Sequence, residues 1–144
     1  MIDENLVLAK ASRVEDHLKR IQEKRSVKLD EFLADLDRQE SILFNLQMAI
    51  QNCIEIAAHI ISDEDLGVAG STNEMFYMLQ ENGYLTPELT ERMIAAVGFR
   101  NLILHEYGNV DLRKVYEIAH QDIEDLNRYL RAVIKKSGIG RAAS

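Results

Sequence analysis

Arg100, His105 and Tyr107 stand within eight residues, Arg100-Asn101-Leu102-Ile103-Leu104-His105-Glu106-Tyr107, around a short apolar run. Arginine is permanently charged and forks onto phosphate oxygens. Histidine, with an unperturbed pKa of about 6.5, both takes and gives a proton near neutrality. These are the minimal tools for breaking a phosphodiester without a metal. Such a reaction needs a base for the ribose 2′-hydroxyl, an acid for the departing 5′-oxygen and positive charge for the phosphorane between them. One copy of the motif holds one histidine, so one proton-transfer role is left open.

The run from Phe99 to Asp111, with Arg-Asn followed by His-x-Tyr, resembles the Arg-x4-6-His motif of the HEPN superfamily in its HepT-like toxin branch. The similarity extends to Leu46 through Ile61 and Met75 through Gly83, whereas the first 40 residues add only helical pattern. The resemblance implies a helical homodimer whose two motifs face each other across a cleft, acting as a metal-independent endoribonuclease with no cofactor. Arg100 would then grip and neutralise phosphate, and two copies of His105 would divide the acid and base roles. Asn101 would orient the histidine or a phosphate oxygen, and Tyr107 would position RNA. The resemblance further implies a toxin–antitoxin system in which a partner nucleotidyltransferase of the MNT type transfers AMP to Tyr107. The added negative charge would repel RNA as a phosphate does. A rival reading from another class is a non-catalytic module that binds nucleotide or partner, its motif serving as a docking and modification surface.

The bulk composition narrows the setting. A chain of 144 residues suits one domain, and a net charge of -7 argues against broad electrostatic capture of nucleic acid, so any RNA contact must be local. The charge is uneven: residues 1–72 carry 8 Lys/Arg against 14 Asp/Glu, and residues 73–144 carry 9 against 10. Cys53 is the single cysteine and falls on an apolar stripe, which excludes an internal disulfide and points to a core position. His17, His59 and His120 lack metal-ligand spacing. With no leader pattern at the N-terminus and no apolar run near 20 residues, a cytoplasmic protein without a membrane span is expected.

The single proline and the three-and-four spacing of apolar residues predict an all-α antiparallel bundle of about five helices. Val7, Ala11, Val14, Leu18 and Ile21 mark the first helix; a longer seam runs from Leu29 to Ile60, with a break between about Ala34 and Arg38 where Asp37 and Glu40 resemble a capping box. Ser71 with Glu74, then Thr86-Pro87, open the next two helices, and Asp111 caps the last. The cluster Lys19, Arg20, Lys24, Arg25 and Lys28 reads as a solvated face. The helical domain is expected over residues 1–136, with 137–144 a mobile tail.

On an ideal helix Arg100 and His105 lie about 140° apart, while Arg100 and Tyr107 are nearly in line. The sequence-based expectation is that the helix tightens near Leu104, ahead of a Gly108-Asn109 terminator, and so turns His105 toward Arg100.

Overall fold

The computed structural model describes residues 1–139. It is all-helical: α1 (Glu4–Lys24), α2 (Leu29–Leu33), α3 (Leu36–Asp63), α4 (Thr72–Glu81), α5 (Pro87–His105), a 3₁₀ turn (Tyr107–Asn109), α6 (Leu112–Glu117), a π turn (Ile118–Asp122) and α7 (Ile123–Ser137). Helix α6, the π turn and α7 follow one another without a break, so the expected last helix is a single rod with a wide turn inside it.

The longest pair, α1 and α3, lies antiparallel along the predicted seam, which buries Val14, Ile21, Leu46, Ala57 and Ile60 almost completely. Each of these side chains larger than alanine contributes roughly 1.5–3 kcal/mol by leaving water. Polar pairs set the register along the same contact. Lys10 Nζ donates to Glu55 at 2.7 Å, and His17 Nδ1 lies 2.8 Å from the Asn45 side-chain oxygen. Because the Asn45 amide nitrogen donates to the Ser41 carbonyl, its oxygen must accept, so His17 carries a proton on Nδ1.

Helices α5 and α7 cover α3 from another side. Tyr129 is fully buried, its hydroxyl donating to the Cys53 carbonyl at 2.9 Å, and burial pushes the Cys53 thiol pKa well above the usual range. Cys53 is therefore an inert core group. On the surface, Arg92 ties α5 to Asp125 at 2.8 Å and to the π-turn residue Asp122 at 3.1 Å, while Arg128 on α7 reaches back to Glu88 at 2.7 Å.

Several caps fall where expected: Ser71 accepts from Glu74 N, Thr86 from Leu89 N, and Asp111 from Arg113 N and Lys114 N. Others need correction. The cap of α3 is Asp35, accepting from Arg38 N at 3.1 Å, so Asp37 lies in the first turn. Asp35 holds the extended backbone that capping requires and pairs again with the Arg38 side chain. Arg25, expected on a solvated face, is half-buried and donates to the Ala119 carbonyl in the π turn at 3.0 Å. Three residues assigned to a mobile tail belong to the fold: Ser137 ends α7, Gly138 adopts the left-handed conformation at its C-cap, and Ile139 is buried. The rest of the predicted tail, 140–144, lies outside the described residues.

Candidate active site

Thr86 and Pro87 start α5 cleanly, and Leu89, Met93 and Val97 seat its first half in the core. Ile103 anchors the last turn, 1% exposed, in a stretch where Leu102 and Leu104 on either side are exposed. The anchoring keeps the helix regular: Glu106 N donates to the Leu102 carbonyl at 2.8 Å, the ordinary i to i−4 bond. The tightening expected near Leu104 does not occur. Helical register runs unbroken through His105, so Arg100 and His105 keep the roughly 140° separation of a straight helix.

The terminator also differs from the expectation. Gly108 has no positive φ; the chain leaves the helix at Glu106, with φ -135° and ψ 40°, and makes a 3₁₀ turn from Tyr107 to Asn109 closed by Asn109 N on the Glu106 carbonyl. Tyr107 therefore lies beyond α5 rather than on the line of Arg100.

The four predicted site residues have different surroundings. Arg100 is half-buried, and its Nε is fully buried without a hydrogen-bond partner. Asn101, His105 and Tyr107 are exposed. Among the described residues none of the four makes an ion pair or a side-chain hydrogen bond, although the protein contains seven salt bridges elsewhere. A buried N–H left unsatisfied costs about 1–3 kcal/mol. Such a group is retained at a cost in stability, which fits a cation waiting for an acceptor. The Tyr107 hydroxyl pKa is raised, first by partial burial and then by the Glu40 carboxylate on α3, so the phenol stays protonated at neutral pH.

Glu40 escaped the sequence reading because nothing local connects it with Tyr107. A second omission had a visible signal: apolar and small residues occur on all sides of α5, whereas a helix covered on one side only carries a polar outer stripe. Leu102, Leu104, Ala95 and Gly98 form the exposed part of that surplus. Beside Ala95, Gly98 and Leu102, between α5 and the α6–π-turn rod, runs a groove of about 460 Å³ lined by Leu46 and Ile50 of α3 and by Phe99, Leu102, Lys114 and Ile118.

Residues 14–133, most of this bundle and the whole motif, match the family described as Ribonuclease HepT-like, and the chain belongs to that family. It is 28% identical over 129 residues to the mRNA nuclease HepT of Shewanella oneidensis, covering 90% of this chain and 96% of that protein. It is 30% identical over 118 residues to the tRNA nuclease HepT of Aphanizomenon flos-aquae, covering 82% and 78%. Among solved structures, a tri-AMPylated Shewanella oneidensis HEPN toxin in complex with an MNT antitoxin superposes with a TM-score of 0.83 at 28% identity, covering 92% of this chain and 98% of that one.

Proposed function

We propose that this chain is a metal-independent endoribonuclease toxin, active as a homodimer and silenced by an MNT-like nucleotidyltransferase that adenylates Tyr107. The observation that carries the reading is the unpaired state of Arg100 and His105 in a family of ribonucleases. Among the described residues, Arg25, Arg38, Arg92, Arg128 and Arg131 are each bonded, yet at the end of α5 a desolvated guanidinium N–H and an exposed imidazole are left without a protein partner. Since they diverge on one helix, the reading requires two copies.

Across the dimer cleft, one His105 removes the proton of the ribose 2′-hydroxyl. The 2′-oxygen bonds to phosphorus, the bond to the 5′-oxygen breaks, and the other His105 protonates that leaving oxygen. Both Arg100 side chains hold the phosphorane charge, and Asn101 and Tyr107 orient the strand. Adenylation joins the Tyr107 oxygen to the α-phosphorus of a nucleoside triphosphate with loss of pyrophosphate. An ordinary phenol is already protonated at neutral pH and burial with Glu40 raises its pKa further, so a base must be supplied for the attack, here by the nucleotidyltransferase.

Purified protein incubated with end-labelled RNA in excess EDTA should cut it and leave 2′,3′-cyclic phosphate ends. His105→Ala should be slower by about 10²–10⁴, the usual worth of a positioned acid or base. Equal rates for the two proteins, or cleavage that appears only on adding a divalent metal, would defeat the assignment. Absence of cleavage together with AMP mass on Tyr107 would favour the rival, a non-catalytic module whose motif is a modification surface.

A further inference from the structure

We propose that the groove beside α5 is a nucleobase pocket that takes a guanine next to the scissile phosphate, gripped along its hydrogen-bonding edge by Asp111 and Lys114. The inference rests on the reading that the chain cleaves RNA at His105, and adds a base preference to it.

The groove has two unlike ends. Toward the start of α5 it is lined by Arg92, Asp122 and Asp125, which neutralise one another: the guanidinium bonds Asp122 at 3.1 Å and Asp125 at 2.8 Å. At the other end, where the chain returns from His105, stand Asp111 and Lys114. Asp111 Oδ1 accepts from Arg113 N and Lys114 N, which fixes the carboxylate and leaves its Oδ2 without a bond among the described residues. The Lys114 ammonium pairs with no acid there, Asp111 included. Between the two ends the lining is apolar, with the Phe99 ring among Leu46, Ile50 and Ile118.

A flat ring with apolar faces and a polar edge fits this arrangement. The volume of about 460 Å³ falls in the range of small-ligand sites, about 300–1,000 Å³. An aliphatic ligand would leave Asp111 and Lys114 unanswered, and a phosphate would oppose the carboxylate. A carboxylate only accepts hydrogen bonds and an ammonium only donates them. Guanine alone among the RNA bases sets two N–H donors on neighbouring atoms, N1 and N2, with the acceptor O6 following on the same edge. Asp111 takes the donors and Lys114 the acceptor.

The pocket also lies where the chemistry needs it. His105 follows the groove residue Leu102 by three positions, about 60° round and about 4.5 Å further along α5. It therefore stands at the end of the groove where Asp111 and Lys114 are free. A chain of net charge -7 gains little from phosphate contacts alone, so a base contact is the natural source of its grip on RNA.

With isotope-labelled wild-type protein, GMP should move the backbone amide signals of Gly98, Leu102 and Lys114. IMP, which lacks the 2-amino group, AMP and UMP should bind more weakly by about fivefold or more, and inorganic phosphate should leave the three signals in place. Asp111→Asn, which can still cap α6, should lose the preference for GMP over IMP. Gly98→Leu adds a side chain where a Cβ meets nothing within 4 Å, so it should fold with wild-type helical circular dichroism and exclude GMP. On RNA of random sequence in excess EDTA, wild-type cuts should cluster at guanosines and those of Asp111→Asn should spread to other bases. Amide signals that GMP does not move, or that GMP and UMP move with equal affinity, overturn the proposal. So does a Gly98→Leu protein that turns from dimer to monomer while wild type binds no GMP, which would give the groove to a second copy. GMP bound in the groove by a protein that cuts no RNA would keep the pocket and reject the nuclease. Cleavage with neither GMP binding nor base preference would keep the nuclease and reject the pocket.

Discussion

The α1–α3 contact and the C-terminal end of α5 treat their polar groups in opposite ways. Along α1–α3, Lys10, His17, Asn45 and Glu55 are each answered by a partner on the facing helix. At the end of α5, the Arg100 Nε is buried with no partner among the described residues, and Asn101, His105 and Tyr107 are exposed. The first pattern is that of polar groups spent on specifying a fold. The second is the pattern the proposed site requires, with groups left for partners outside the chain, and the difference bears on histidines that look alike in the sequence. His17 is bonded to Asn45, and His120 is held to the Tyr116 carbonyl with its ring tilted over the tyrosine at 4.2 Å; among the described residues His59 and His105 make no side-chain hydrogen bond, and of these two only His105 is exposed.

The sharpest way to break this contrast is at Arg100. Arg100→Ala should slow RNA cleavage by about 10²–10³, the worth of a donor aimed at developing charge. Its melting temperature should stay the same or rise, because the variant removes an unsatisfied buried N–H. A clear fall in melting temperature would make Arg100 a structural residue and erase the distinction. At the other pole, His17→Leu should leave cleavage intact and destabilise by about 1–2 kcal/mol in urea unfolding, since the buried Asn45 oxygen loses its donor. A neutral result would show that solvent already serves that oxygen.

The smallest effect concerns pH. Hydrogen bonding from Lys10 holds the Glu55 carboxyl below its ordinary range, outweighing partial burial. A group whose folded pKa is depressed contributes its full stabilisation above the unfolded value and loses it as pH falls through the folded one. Thermal melts between pH 7 and pH 3 should therefore show Glu55→Gln converging on wild type as the solution is acidified, with the gap open above the carboxylate range. A gap that is constant with pH would assign the effect to packing.

Much of the fold was legible because local chemistry decides it. Thr86-Pro87, Ser71 with Glu74 and Asp111 each satisfy specific backbone N–H groups, and the seam from Leu29 to Ile60 can bury its apolar stripe in only one way. Misreadings arose where tertiary contact outweighed local preference. Two aspartates two residues apart could cap α3, and the one that also reaches Arg38 prevails. The approach to Gly108 suggested a tightening near Leu104, yet with Ile103 buried the last turn of α5 stays regular up to its end at His105. Glu40 beside Tyr107 and Arg25 on Ala119 join positions 67 and 94 residues apart, which no spacing rule reaches. At the site, residue types were readable from the sequence, but their directions depended on whether one helical turn stayed intact.

The π turn has a consequence for the last rod. Val115, Ala119, Leu126 and Val133 read as one uninterrupted stripe in the sequence, but closing the turn one residue late rotates all that follows by about 100° relative to a regular helix. The rod therefore swivels: its first segment looks toward α2 and α3, its second toward α5, α3 and α1. The carbonyl released at Ala119 is taken up by the Arg25 guanidinium, which fastens the swivel to the end of α1. Losing a single amino acid between positions 118 and 121 would straighten the phase and swing Asp125 away from Arg92 without touching the motif.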